Sequence, residues 1–350
     1  MGPYVLVLLW LLHLLSKSST SAKIPAIVVF GDSSVDAGNN NQLPTIARSN
    51  FEPYGRDFTG GRPTGRFSNG RIPTDFISEA VGLKSLVPAY LDPTYNISDF
   101  AVGVTFASAG TGYDTATSDV LGVIPLWKEL EYYKDYQTKL RAYLGDEKAN
   151  QTIGEALYIM SIGTNDFLEN YYAFPPRRRS QYTIDQYQQF LVGIAKNFTI
   201  NLYNLGARKI SLGGLPPMGC MPLERARNFA NTNDCVDSYN IVAMSFNDKL
   251  RGLVSNLTQE LVGVDLVFSN PYYILLQMVK RPSLYGFDVS GVGCCATGMF
   301  EMGYACNERN PFTCRDANKY VFWDAFHPTE RANQIVSDHV VKTALYKFLV

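Results

Sequence analysis

Histidine is scarce in this sequence, with three among 350 residues. His13 lies in an apolar N-terminal run, which leaves His327 and His339 for a folded domain that follows it. No Cys-x-x-Cys pair occurs either. These absences exclude a zinc site built from histidine and cysteine ligands, and they leave two residues for any chemistry that needs an imidazole base.

The sequence also lacks an excess of charge of either sign, with 31 lysines and arginines against 32 aspartates and glutamates. A nucleic-acid-binding protein needs a broad basic field, and a disordered chain typically carries a large net charge. No nucleic-acid partner is therefore expected. Hydrophobic residues make up 46% of the chain, which is enough for one large core or at most two domains. The composition favours small neutral or apolar ligands.

No apolar run reaches the length of about 20 residues that a membrane-spanning helix needs. The N-terminal run at residues 4–15 is followed by small residues, with Thr20 and Ala22 at the positions that a signal peptidase reads. We predict that residues 1–22 are a cleaved secretory signal, the alternative being a short buried helix. No transmembrane segment is expected. The predicted destination is the extracellular space or the vacuole, which share the same entry signal.

Two further features agree with secretion. The chain contains four Asn-x-Ser/Thr glycosylation sequons, at Asn96, Asn150, Asn197 and Asn256. The six cysteines all follow residue 219 and are Cys220, Cys235, Cys294, Cys295, Cys306 and Cys314. An even number of cysteines in an oxidising compartment predicts three disulfides. We expect Cys220 to pair with Cys235 and the remaining four to pair among themselves, in an order that their spacing does not select.

Short β-branched runs alternate with longer stretches of helical period, which predicts an α/β fold in which helices cover a parallel sheet. The predicted strands are residues 26–30, 102–107, 157–162, 209–212 and 264–268. Amphipathic helices are predicted around residues 126–144, 187–202 and 242–261. A Gly- and Arg-rich stretch at residues 54–71 predicts a long loop. No linker rich in Pro, Gly or Ser divides the chain, so we predict a single domain over residues 23–350.

His327 has the sequence context of a catalytic imidazole. It lies in the segment WDAFHP at residues 323–328, and Pro328 disfavours a helical conformation at the residue before it. We therefore expect His327 on a loop just before a helix that begins near Thr329. Asp324 is three residues upstream, where its carboxylate can orient the ring. His339 falls on the final helix and is expected to be a packed or half-exposed residue.

Ser33 is the best candidate for a nucleophile. It follows the strand at residues 26–30 directly, after a glycine at position 31 that permits a tight turn. We expect Ser33 at the carboxyl end of that strand and at the start of the next helix, where backbone N–H groups and the helix dipole favour an oxyanion. The alternative is that Ser33 or Ser34 only caps this helix.

Two other interpretations of this segment are disfavoured. The motif Gly-x-Ser-x-Gly occurs nowhere, which argues against the α/β-hydrolase fold. Asp32, Ser34, Asp36 and Asn40 resemble the oxygen ligands of a calcium loop, but residue 37 separates the third ligand from the glycine that such a loop requires. No metal and no cofactor are expected.

Four spaced segments resemble the GDSL esterase/lipase family of the SGNH hydrolase superfamily, in its plant branch. They are FGDSSVDAGNNN at residues 30–41, TFASAGTG at 105–112, IGTNDF at 162–167 and WDAFHPT at 323–329. The resemblance extends from about residue 24 to the C-terminus. Four blocks in the right order are specific, whereas Gly-Asp-Ser alone is not.

The resemblance implies a three-layer α/β/α sandwich with a flavodoxin-like five-stranded parallel sheet. It implies that Ser33 is the nucleophile, that Asp324 and His327 complete the triad, and that Gly110, Asn165 and the Ser33 amide form the oxyanion hole. The implied function is a serine esterase or lipase that acts through an acyl-enzyme on small-molecule, lipid or polysaccharide esters. The alternatives are an acyltransferase that uses the same site and a non-catalytic defence or binding protein on the same scaffold.

Overall fold

The computed structural model describes residues 24–173, 175, 177–228 and 234–349. The predicted secretory signal, residues 1–22, lies outside the described residues. Within the described part of the chain, no helix combines the length and the hydrophobicity that a membrane crossing requires.

A five-stranded parallel sheet forms the centre of the molecule. Its strands are β1 (Ile27–Gly31), β2 (Gly103–Thr105), β3 (Leu157–Ser161), β4 (Lys209–Gly213) and β5 (Asp265–Ser269). All neighbouring strands pair in parallel, in the order β2-β1-β3-β4-β5. This is the flavodoxin-like strand order, and each of the five predicted strands is present with its ends moved by one or two residues. The α/β fold class expected from the sequence is confirmed.

Helices cover both faces of this sheet, as the three-layer prediction requires. They are α1 (Pro73–Ala80), α2 (Ile97–Phe100), α3 (Thr115–Leu121), α4 (Leu126–Leu144), α5 (Asp146–Glu155), α6 (Ile184–Asn204), α7 (Pro222–Ala226), α8 (Asp237–Glu260), α9 (Tyr272–Lys280) and α10 (Glu330–Thr343). A π-helical segment, Asp166–Tyr171, follows β3. The three predicted amphipathic helices correspond to α4, α6 and α8, and each buries its apolar stripe.

The two faces of the sheet have separate cores. One core joins α4, α5, α6 and α8 to the side chains of one sheet face, which include Phe30 and Tyr158. The other joins Val29 and Ile159 of the opposite face to Ile77 of α1 and Val340 of α10. Because adjacent residues of a strand point to opposite faces, strands buried on both sides are nearly continuous apolar runs. This explains why periodicity located the strands well.

A second, smaller sheet was not expected. Strands β6 (Val289–Gly293) and β7 (Tyr320–Phe322) pair in parallel near the C-terminal end of the chain. β6 carries two glycines, and its side chains are only partly buried over most of its length, so it lacks the apolar pattern of a core strand.

Three disulfides lie in the C-terminal half of the chain, as expected. Cys220 pairs with Cys235, which confirms the predicted local loop. The last four cysteines pair among themselves, as Cys294–Cys314 and Cys295–Cys306.

One structural expectation is wrong, because no helix begins at Ser33. After β1 the backbone makes a single turn, in which the N–H groups of Val35 and Asp36 both donate to the Asp32 carbonyl. The chain then leaves the helical path at Gly38, whose φ is +128°, and the next α-helix among the described residues is α1. The buried side chain of Asn39 explains this path, since it donates to the carbonyls of Thr105, the last residue of β2, and of Ala107 just after it.

Candidate active site

Ser33 lies on a sharp turn at the carboxyl end of β1. Gly31 makes this turn possible, because its φ is +146° and an added Cβ would lie 2.0 Å from the carbonyl oxygen of Ser161. The next amide, that of Asp32, donates to the same carbonyl at 3.0 Å. β1 and β3 therefore approach closely here, and the turn presents the Ser33 side chain at the edge of the sheet.

His327 reaches this serine from the other end of the chain. Its Nε2 atom lies 2.8 Å from Ser33 Oγ, although the two residues are 294 positions apart. The loop between β7 and α10 holds His327, with a 2.7 Å hydrogen bond from the Trp323 amide to its carbonyl. The ring of Phe67 packs against the imidazole with 4.8 Å between centroids. As expected, the helix that follows begins directly after Thr329, whose side chain caps it.

Asp324 holds the opposite side of the imidazole. Both of its carboxylate oxygens are 2.9 Å from His327 Nδ1, and Oδ1 also accepts the backbone N–H groups of Phe326 and His327. The carboxylate is completely buried. An acceptor beside Nδ1 makes that nitrogen the N–H donor, so the lone pair of a neutral ring is at Nε2, facing Ser33.

Tyr54 completes the environment of Asp324, and nothing in the sequence pointed to it. Its hydroxyl donates to Asp324 Oδ2 at 2.7 Å and accepts the Gly303 N–H at 2.8 Å. Burial, followed by the nearby charge of Asp324, raises the pKa of Tyr54 well above its usual value, so the hydroxyl stays protonated and remains a donor. Tyr54 belongs to the predicted loop at residues 54–71, which is free of helix and strand.

The three predicted oxyanion donors each keep an N–H without an acceptor among the described residues. Among the described residues, the N–H groups of Ser33 and Gly110 have no hydrogen-bond acceptor. Asn165 donates through Nδ2 to the Thr111 carbonyl at 2.9 Å, which leaves its second amide hydrogen unused. These residues follow β1, β2 and β3, so the parallel sheet brings them to one edge. Such a set of donors can stabilise a negative oxygen.

Asp36 and Asn40 hold the Gly110 loop in place. Asp36 Oδ2 accepts the N–H of Ala109 at 3.0 Å, and Asn40 Nδ2 donates to the carbonyl of the same residue at 2.9 Å. Asp36 Oδ1 accepts the amides of Gly38 and Asn39. These oxygens are thus occupied by backbone donors, which agrees with the rejection of a calcium loop. Within the described ranges, no cluster of three or more His, Cys, Asp or Glu side chains could hold a metal ion.

Two more buried carboxyl groups support the turn. Glu129 of α4 accepts the Gly31 N–H at 2.9 Å, and burial raises its pKa well above the ordinary value of 4.5. Burial also raises the pKa of Asp32 to about 6, opposed by hydrogen bonds from Ser34. No sequence pattern pointed to Glu129, because its position on the helix indicates only a packed residue.

Other predicted positions lie away from this constellation. His339 is on α10 and is half-buried, as expected for a helix residue, and burial lowers its pKa. The four sequon asparagines are all exposed. Asn96 caps α2, and the other three lie on α5, α6 and α8.

A hydroxyl, an imidazole and a buried carboxylate connected in sequence by hydrogen bonds form the arrangement that serine hydrolases use. The family model for GDSL-like lipases and acylhydrolases matches residues 27–340, so the chain belongs to this family. The chain is a carboxylic ester hydrolase of the GDSL esterase/lipase type.

Several proteins of Arabidopsis thaliana are similar over nearly their whole length. GDSL esterase/lipase At2g04570 is 64% identical, over 97% of this chain and 97% of its own. GDSL esterase/lipase At2g42990 is also 64% identical, over 93% of each chain. GDSL esterase/lipase At4g26790 is 59% identical, over 94% of this chain and 93% of its own. The resemblance noted from the four sequence blocks is thereby confirmed.

Proposed function

We propose that this protein is a secreted serine esterase in which Ser33 is the nucleophile, His327 the general base and Asp324 the residue that orients His327. The observation that carries the proposal is the 2.8 Å contact between Ser33 Oγ and His327 Nε2, with Asp324 on the other ring nitrogen. A base within hydrogen-bond distance of a hydroxyl can remove its proton as the hydroxyl attacks.

The proposed reaction has two steps. In the first, His327 takes the Ser33 proton while Oγ attacks the ester carbonyl carbon, and the carbonyl oxygen becomes an oxyanion. The N–H groups of Ser33, Gly110 and Asn165 donate to this oxyanion. The bond to the alcohol oxygen then breaks, His327 returns its proton to that oxygen, and the acyl group stays on Ser33.

In the second step, water replaces the alcohol beside His327. His327 removes a proton from the water as it attacks the acyl carbon, and the same donors hold the second oxyanion. Collapse of this intermediate returns the proton to Ser33 Oγ and releases the carboxylic acid. Asp324 keeps its charge throughout and stabilises the imidazolium that forms in both steps.

The variant Ser33→Ala tests the assignment. We expect it to lower the kcat for p-nitrophenyl butyrate on the order of 10⁴-fold or more, because the nucleophile acts as one unit with its base. Ser34→Ala is the matched control, since the Ser34 hydroxyl bonds to Asp32 and Ser161 rather than to His327. Thermal unfolding of both variants checks that the fold is kept. Turnover of Ser33→Ala at the wild-type rate would overturn the assignment.

We also infer that the chain enters the secretory route and that the mature enzyme is one domain covering residues 23–350. Three disulfides and four exposed sequon asparagines support an oxidising, glycosylating compartment. N-terminal sequencing of the protein expressed in plant cells tests this, with cleavage after Ala22 as the expected result. A mature chain that begins at residue 1 and carries no glycan would contradict it.

A further inference from the structure

A cavity of about 150 Å³ begins beside Ser33 and His327 and extends inward between the sheet and the helices α1, α9 and α10. α10 lines it with Asn333, Val336 and Val340, which share one helix face. These positions span seven residues, so the lined length is about 10 Å at 1.5 Å per residue. Because α10 starts just after His327 and leads away from it, Val340 lies at the far end of the cavity.

Small side chains on one face of the sheet leave room for this cavity. The residues that line it at the ends of β3, β4 and β5 are Ser161, Ser211, Gly213 and Ser269. On the opposite face, the paired residues Leu212 of β4 and Phe268 of β5 carry large side chains that pack in the other core. Small and large side chains thus alternate along the strands, and the small ones leave a space on the face that α1 and α10 cover.

The inner part of the cavity suits an apolar ligand. Ile77, Ile159 and Leu345 form its inner walls together with Val340. The hydroxyls of Ser211 and Ser269 hydrogen-bond to each other and so need no ligand. Thr74 also lines the cavity, and its buried Oγ1 atom has no partner among the described residues. The ionisable residues among those that line the cavity, Asp32 and His327, are both at the Ser33 end.

We propose that this cavity binds the acyl chain of the ester and that the preferred substrates are esters of unbranched acids with about six carbon atoms. The proposal rests on the proposed role of Ser33 as the atom that carries the acyl group. A cavity of this volume accommodates a ligand of about six carbons, as a benzene-sized site does. The acyl group is the part that stays through both steps, whereas the alcohol must leave and be replaced by water at His327. A closed apolar end therefore fits the acyl part.

Two ester series test which part of the substrate the cavity holds. In the first, the alcohol is p-nitrophenol and the acid has two, four, six, eight or twelve carbons. We expect kcat/KM to rise about fourfold for each buried methylene up to about six carbons and to fall beyond that length. In the second series, hexanoate is esterified with alcohols of increasing length, and kcat/KM should change little. An optimum that follows the alcohol and not the acid would overturn the proposal.

Variants of Val340 test the position of the far end. Val340→Ala lengthens the cavity and should move the optimum to longer acids by one or two carbons, whereas Val340→Phe should move it to shorter acids. Val254→Ala and Val254→Phe are the matched controls, because Val254 has the same 8% exposure as Val340 but belongs to the core on the opposite face of the sheet. If both Val340 variants keep the wild-type acyl profile, or if the Val254 variants shift it equally, the proposal fails.

Thr74→Val tests the chemistry of the chain. It replaces an unpaired hydroxyl by a methyl group, so kcat/KM for hexanoate should rise about two- to fourfold if the cavity holds an alkyl chain. A decrease would indicate a polar acyl group and would overturn the proposal. These outcomes are distinct from failure of the proposed function, since Ser33→Ala would then keep wild-type turnover of every ester tested.

Discussion

The Tyr54 hydroxyl offers a direct test of how Asp324 is held. It is the one side-chain donor to Asp324 other than His327 within the described residues, and it also accepts the Gly303 amide. Tyr54→Phe removes one oxygen from a fully buried ring and leaves the packing of that ring unchanged. The variant therefore separates the hydrogen bonds from the shape.

Two effects determine the size of the change. A hydrogen bond to a charged group contributes about 1.5–3 kcal/mol, and the buried Gly303 N–H left without an acceptor costs about 1–3 kcal/mol. We expect a decrease of about 3 kcal/mol in the free energy of unfolding. Asp324 keeps two backbone donors, so it should still orient His327, though less rigidly. We expect a tenfold lower kcat, which corresponds to a loss of about 1.4 kcal/mol of transition-state stabilisation. KM should not change, because Tyr54 does not line the cavity.

The assay is the measurement of kcat and KM for a p-nitrophenyl ester, together with urea unfolding. Tyr136→Phe is the control, since this equally buried tyrosine donates to the Phe100 carbonyl on another part of the fold. It should lose stability but keep the wild-type kcat. A wild-type kcat in Tyr54→Phe would refute the reasoning.

Three further predictions concern the turn, the donors and the base. Gly110→Ala should lower kcat on the order of 10²-fold, because Gly110 has φ of +90° and a new Cβ would lie 3.1 Å from a leucine methyl. Gly122→Ala is the stability-matched control, since Gly122 has φ of +64° and lies in open space. Burial raises the pKa of Glu129 above its ordinary 4.5, so the folded state keeps a proton that the unfolded chain loses, and this contribution to stability decreases as pH rises above 4.5. The unfolding free energy of Glu129→Gln relative to wild type should therefore increase by up to about 1.4 kcal/mol per pH unit above pH 4.5. Urea unfolding of both proteins at pH 4.5 and at pH 7 measures this. The same difference between the two proteins at both pH values would contradict the prediction. His327→Ala should abolish esterase activity on p-nitrophenyl butyrate, whereas His339→Ala should retain it.

Most of the candidate site was predictable because its residues follow strands of a parallel sheet. The strand ends locate Ser33, Gly110 and Asn165 at one edge, and the scarcity of histidine leaves His327 as the natural base. Pro328, directly after His327, correctly predicted a loop followed by a helix that begins near Thr329. These are local patterns, each visible within a few residues.

The helix expected at Ser33 was wrong for a tertiary reason. Nothing within residues 32–40 forbids a helix, but the Asn39 side-chain amide donates to carbonyls at the end of β2 and just after it. The bonds that fix this path come from a strand about seventy residues away. The contact of Glu129 was missed for the same reason. Its place on a helix face does not indicate that its carboxyl group accepts the N–H of the distant Gly31.

The sequence by itself determined the α/β class, the five strands, the ester-hydrolase family and the local disulfide loop, since these follow from hydrophobic period, turn chemistry and short motifs. Only the tertiary structure decided the pairing of the last four cysteines, the role of Tyr54 beside Asp324 and the cavity beneath the sheet. Each of these depends on which side chains from distant segments share a face or an edge, and contacts of that kind leave no period or spacing in the chain. The physical reason is that local conformation is encoded by neighbouring residues, whereas packing is encoded by all of them together.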